Sequence, residues 1–221
     1  MTTRNAQPPA LRAFDSPEIR QAVAELRLRL SNGTRTLLGV AGAPGSGKST
    51  FSARLAETMG PGLALVVPMD GFHLGNAVID GTPLKERKGA PDTFDVGGYF
   101  SLLQRLARRD EDVVYAPDFR RSIDEPVAAS IAVPARVPLI ITEGNYLLSD
   151  EPQWRHVRSQ LDEVWFIDTP PDLRLSRLVE RHILFGMDRA AAEAWAGGSD
   201  EANARLIEAT RHRADRVIPW F

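Results

Sequence analysis

The 221-residue sequence contains no cysteine, which excludes disulfides, a thiol nucleophile and a thiolate-held metal. No apolar run approaches the roughly 20 residues needed to span a bilayer, and the opening MTTRNAQPPALRAF has no apolar core of the kind a secretory leader requires. Neither sign of charge dominates: 27 Lys and Arg stand against 29 Asp and Glu, a formal net charge of −2. This balance argues against nucleic acid as the main partner, which normally shows as a clustered basic excess, and leaves a local basic patch open. These absences predict a cytoplasmic protein without nucleic-acid or membrane partners. The four histidines show neither HxxxH nor HExxH spacing, so a zinc site has no support.

What is present is ordinary for a globular chain, with 43% hydrophobic and 25% charged residues. The expected organisation is a flexible tail over 1–14 and one domain over 15–221. Ser16 can cap a helix with Pro17 at its first position, and Ile19, Val23, Leu26 and Leu30 share one face of it. Asn32-Gly33 then reads as a turn. TLLGVAG is a short unbroken apolar run of the kind a buried parallel strand has, and the same pattern recurs at 63–70, 137–144, 163–170 and, more weakly, 214–220. Helices are expected at 97–109, 152–160, 171–184 and 200–213. Between 113 and 133, two apolar runs flank the polar RRSIDEP, which predicts a hairpin. Five strands with helical connections imply an α/β fold: a three-layer sandwich with a five-stranded parallel sheet and helices on both faces.

GAPGSGKST fits G-x-x-x-x-G-K-[ST] with Gly42, Gly47, Lys48 and Ser49, in the strand-to-helix setting the pattern requires. A chance match in a chain of this length has odds on the order of one in a hundred. The backbone over Gly42, Ala43, Pro44, Gly45, Ser46, Gly47, Lys48, Ser49 and Thr50 is thus expected to cradle phosphates, with N–H groups and a helix N-terminus aimed at them. Lys48 would reach the terminal phosphates of ATP and Ser49 would ligate Mg²⁺. In an open α/β sheet ligands sit beyond the carboxyl ends of the strands, so Asp70 and Glu143, which close two strands, project towards the same place. Two carboxylates there can divide metal ligation and proton acceptance between them; the residues alone leave the division open. Asp168 also closes a strand, where a structural turn is as good a reading as a site role.

Taken in order, GAPGSGKST, PMDGFH, RKGAPDTFD, YAPDFRRSIDEP, ITEGNYLL and RLVERHILFG resemble the phosphoribulokinase and uridine kinase family of P-loop small-molecule kinases, over residues 36 to about 218. The resemblance is to its short pantothenate-kinase-like members. It implies ATP- and Mg²⁺-dependent phosphorylation of a hydroxyl on a small metabolite, a nucleoside first, with pantothenate, a sugar or glycerate as alternatives, and it leaves a homodimer open. It implies Asp70 as the catalytic base, Glu143 beside Mg²⁺, an acceptor site near Asp95, Tyr115 and Arg120, and a helical lid over about 174–190. The family's known members differ from this chain in length and in the residues after Asp70, so no single acceptor carries over.

Arg174, Arg177 and Arg181 recur at helical spacing and form one cationic face suited to phosphoryl oxygens, with Arg177 and Arg181 the favoured catalytic pair. The competing reading is an ordinary solvated face. His73 is an acceptor-site candidate or a turn residue; Arg87 and Lys88 meet an anionic acceptor or decorate a loop; Asn203 borders the base or is a surface residue. A regulatory P-loop ATPase without a small acceptor is the rival of another class, although the guanine-reading N-K-x-D pattern is absent.

Overall fold

The structure, a computed structural model, describes residues 14–221. Five short strands, β1 (Thr36–Ala41), β2 (Ala64–Pro68), β5 (Leu139–Gly144), β6 (Glu163–Asp168) and β7 (Arg216–Pro219), form one sheet in the order β2-β5-β1-β6-β7. All four pairings are parallel. The unbroken apolar runs have the expected physical reason: both faces of the sheet are covered. Along β5, Ile140 packs into one core while Leu139 and Ile141 pack into the other, and in β6 Phe166 and Trp165 divide in the same way.

Helices α1 (Pro17–Leu30) and α2 (Lys48–Met59) cover one face through Ile19, Val23, Leu26, Phe51 and Leu55. Ser16 caps α1, its Oγ accepting from Ile19 N, with Pro17 following as expected. The opposite face carries α4 (Val96–Arg108) through Tyr99, Leu103 and Leu106, together with Trp154. Tyr99 reaches across to the sheet: its hydroxyl donates to Thr142 Oγ1 at 2.6 Å, and Thr142 in turn donates to Val67 O. A short α3 (Asn76–Ile79) lies in the segment before α4. Beyond β6 come α5 (Pro171–Leu184), α6 (Arg189–Trp195), a wide turn over Ala196–Asp200, and α7 (Glu201–Glu208).

The excursion is a hairpin of β3 (Val113–Arg120) and β4 (Glu125–Pro134), antiparallel with a bulge between Ala116 and Asp118. It crosses the end of β2 so closely that a Cβ on Gly71 would stand 2.5 Å from Pro117 O, so only glycine fits there.

Three expectations are corrected. Residues 152–160 form turns with one 3-10 turn at Arg158–Gln160, not an α-helix, because Trp154 is fully buried and its Nε1 is held by Pro91 O at 3.0 Å. The last helix is shorter than 200–213, ending at Glu208 before a separate 3-10 turn at Arg211–Arg213. Phe14, assigned to the tail, is buried against Phe51 and Trp220; residues 1–13 lie outside the described residues. Among the described residues no helix is long and apolar enough to cross a membrane.

Candidate active site

The turn between β1 and α2 curls with positive φ at Gly45 (77°) and Gly47 (88°). Gly45 is hemmed in as well: a Cβ there would stand 2.5 Å from Arg174 O and 2.8 Å from Leu178 Cγ. The helix that follows opens at Lys48, so its free N–H groups face the loop. A cavity of about 410 Å³ extends from this turn, and Pro44, Gly45, Lys48 and Ser49 line its floor.

Strand register brings the two carboxylates to the same cavity. Glu143 of β5 lies level with Val40 of β1 and with Pro68 of β2, and Asp70 follows two residues after Pro68. The Ser49 hydroxyl donates to Glu143 Oε1 at 2.7 Å. Burial, together with Asp70, pushes the Glu143 carboxyl above its ordinary value, partly offset by Lys48. Burial acts on Lys48 in the other direction, lowering its ammonium despite Glu143 and Asp70 nearby, and its Nζ donates to Ala43 O at 3.2 Å. Ser49 and Glu143 offer hard oxygen atoms of the kind Mg²⁺ takes, and an ion that keeps several waters and phosphate oxygens needs no larger protein cage. No group of three or more His, Cys, Asp or Glu side chains that could hold a metal ion occurs among the described residues.

The cavity also gathers Arg181, His182, Phe185, Met187, Trp195, Asp200 and Asn203 from the α5-to-α7 segment. Burial lowers the Arg181 guanidinium, with Arg121 adding to the effect. His182 Nε2 and Asp200 Oδ2 lie 2.7 Å apart and join the two ends of this segment. On the opposite wall His73 packs on Phe94 and Phe119, with ring centroids 4.1 and 4.8 Å away, and its Nδ1–H donates to Asp70 O. Burial lowers its pKa.

Several expected residues stand elsewhere. Arg177 does not line the cavity; it lies behind the turn, its Nη1 about 3.6 Å from where a Gly47 Cβ would sit. Arg174 is buried and braces the loop, donating to Pro44 O and to Glu201 Oε2. Asp95 is the N-cap of α4, accepting from Gly98 N. Tyr115 is exposed on the outside of the hairpin, Arg87 pairs with Asp92, and Arg120 lies near Asp118. Asp168 pairs with Arg211 outside the cavity. Lys88 is in the cavity, tied to Asn76 and Asp124.

Arg121, not Arg120, reaches the cavity and donates from Nη2 to Asp70 Oδ2 at 3.2 Å. Arg120 is the last residue of β3 and Arg121 the first of the hairpin turn, and the pair Arg120-Arg121 in the sequence carries no sign of which one faces inward. Phe119 at the end of β3, Asp124 in the hairpin turn, Asn145 after β5 and Lys85 were also missed, since their place in the cavity depends on tertiary packing.

No protein-family model matches the chain. It is 34% identical over 199 residues to "Putative uridine kinase C227.14" of Schizosaccharomyces pombe, with 86% of this chain and 85% of the relative covered. It is 34% identical over 160 residues to "ATP-dependent kinase-like protein notR'" of Aspergillus versicolor, covering 68% of this chain and 93% of that protein. The solved structure of a "putative fructose transport system kinase" from Silicibacter sp. TM1040 is similar with a TM-score of 0.80 at 39% identity, over 96% of this chain and 99% of that one.

Proposed function

The chain belongs to the phosphoribulokinase and uridine kinase family of P-loop kinases, and from that membership we propose that it transfers the γ-phosphoryl group of ATP to a hydroxyl of a small metabolite. The observation that carries the reading is the convergence of Lys48, Ser49, Asp70, Glu143 and Arg181 on one cavity at the carboxyl end of the sheet.

In this reading the loop N–H groups and Lys48 hold the terminal phosphates, and the buried lysine, whose Nζ donates to Ala43 O, gains a hydrogen-bonded anionic partner. Ser49 and Glu143 would hold Mg²⁺, which supplies charge neutralisation at the phosphates. Asp70 accepts a hydrogen bond from the acceptor hydroxyl, orients its oxygen and takes its proton. Arg181 neutralises charge on the transferred group. Arg177 stands off the cavity beside Gly47, so Arg181 is the lid arginine assigned to this step.

Asp70→Asn removes the proton acceptor while keeping the shape. Turnover of a hydroxyl acceptor is expected to fall about 10²- to 10⁴-fold with nucleotide affinity nearly unchanged. A variant that turns over at the wild-type rate would remove Asp70 from the base role, and acceptor-independent ATP hydrolysis as the main activity would overturn the kinase reading.

A further inference from the structure

The cavity holds more positive side chains than a phosphate site needs. Lys48 and Arg181 stand with the phosphate loop and the α5 segment, whereas Lys85, Lys88 and Arg121 belong to the wall made by residues 73–93 and the hairpin turn. Lys88 is fully engaged: its Nζ donates to Asn76 Oδ1 at 2.9 Å and to Asp124 O and Oδ2, both at 2.6 Å. It ties the two halves of the wall together. Lys85 is likewise held, by Asp80 and by Asn76, each at 2.9 Å.

Arg121 differs from both. Among the described residues its one hydrogen bond is the 3.2 Å contact to Asp70, so Nε and Nη1 have no protein acceptor, and its side chain is 43% exposed. The guanidinium lies over the Phe119 ring, 6.0 Å from its centroid, a contact that pre-orients the planar fork of donors. A hydroxyl that engages Asp70 must share that carboxylate with Arg121, and the free donors then lie beside the carbon atoms next to the hydroxyl. The aromatic rings of this wall are already occupied, Phe119 carrying His73 as well as Lys88 and Arg121. They offer little open face for stacking a neutral base, whereas a guanidinium with donors left over after its contact with Asp70 suits an anion.

We propose that the acceptor is a small anionic hydroxy compound whose carboxylate or phosphate is held by Arg121 while its hydroxyl meets Asp70. This rests on the kinase reading above and departs from the neutral nucleoside that the sequence favoured. Arg121 is thereby a specificity-determining residue.

The test is calorimetric titration of the full chain, with Mg²⁺ and a non-hydrolysable ATP analogue present, using matched pairs: glycerol against glycerate, and fructose against fructose 6-phosphate. The wild type is expected to bind one anionic member about tenfold or more tightly than its neutral partner, and the pair in which this occurs tells carboxylate from phosphate. Arg121→Gln should abolish the preference and Arg121→Lys should keep part of it. Thermal unfolding checks that the variants fold; should Arg121→Gln fail to, the wild-type preference and the Arg121→Lys comparison still decide. Equal or better binding of the neutral members, no anion-dependent binding in the wild type, or a preference that survives Arg121→Gln would overturn the proposal. The titration needs no turnover. Phosphoryl transfer to a neutral member alone would sink this inference and spare the kinase reading, while an Arg121-dependent anion preference without transfer to any hydroxyl would do the reverse.

Discussion

His73 illustrates how one side chain near Asp70 is set by its partners. A carbonyl oxygen can only accept, so the contact with Asp70 O at 2.8 Å fixes the proton of the neutral ring on Nδ1 and leaves Nε2 as an acceptor. Burial lowers this imidazole below its ordinary value. It therefore binds protons more weakly folded than unfolded, and its stabilising contribution is complete above about pH 6.5 and lost as the pH falls towards the folded value. The thermal unfolding temperature is expected to drop across that window, and His73→Gln should flatten the drop; the same slope in both proteins would refute this account. Lys48 and Glu143 show the same burial acting on opposite charges, lowering one pKa and raising the other. Of these residues, Lys48, Ser49, Asp70 and Glu143 were legible because each sits at a defined offset from a glycine-rich turn or a strand end. Arg121 was not, because its role depends on a contact with Asp70, 51 positions away in sequence.

At the scale of elements, the turn from β1 to α2 is a short-range device held by a long-range one. Gly45 has φ 77° and the carbonyl of Arg174 presses against it, while the Arg174 guanidinium reaches over the loop to Pro44 O and on to Glu201. Gly45→Ala combines a left-handed conformation, costing an L-residue about 1–2 kcal/mol, with a clash against backbone. A loss of at least about 1 kcal/mol in unfolding free energy is expected from denaturant titration, together with weaker nucleotide binding; a variant as stable as the wild type would show that the loop and α5 are not packed in this way. The elements legible in advance were those whose pattern is local: the five apolar strands, the Ser16-Pro17 start of α1, and Pro171 opening α5. The segment 152–160 misled because apolar spacing around Trp154 resembles a helix, yet a long-range hydrogen bond to Pro91 O and complete burial of the indole decide its path.

For the whole molecule, a site assembled from the ends of β1, β2 and β5, the hairpin and the α5-to-α7 segment predicts that ligands bind the folded chain alone. Mg²⁺ with ATP at about 100 times its Kd should add about 2.7 kcal/mol of stability, seen as a rise in unfolding temperature. Lys48→Met should lose most of that rise and chelation of Mg²⁺ should reduce it; a full shift in Lys48→Met would mean that the nucleotide seat lies elsewhere. By itself the sequence determined the parallel sheet, the phosphate-binding turn and the two strand-end carboxylates, because each depends on residues within a few positions of one another. Only the tertiary structure decided where the arginines stand. It put Arg181 in the cavity, Arg177 behind the loop, Arg174 in a brace and Arg121 on Asp70. Helical spacing specifies a face but not its neighbours, and Arg121 meets Asp70 from the hairpin turn just past the end of β3, a contact between residues 51 positions apart that no local pattern encodes.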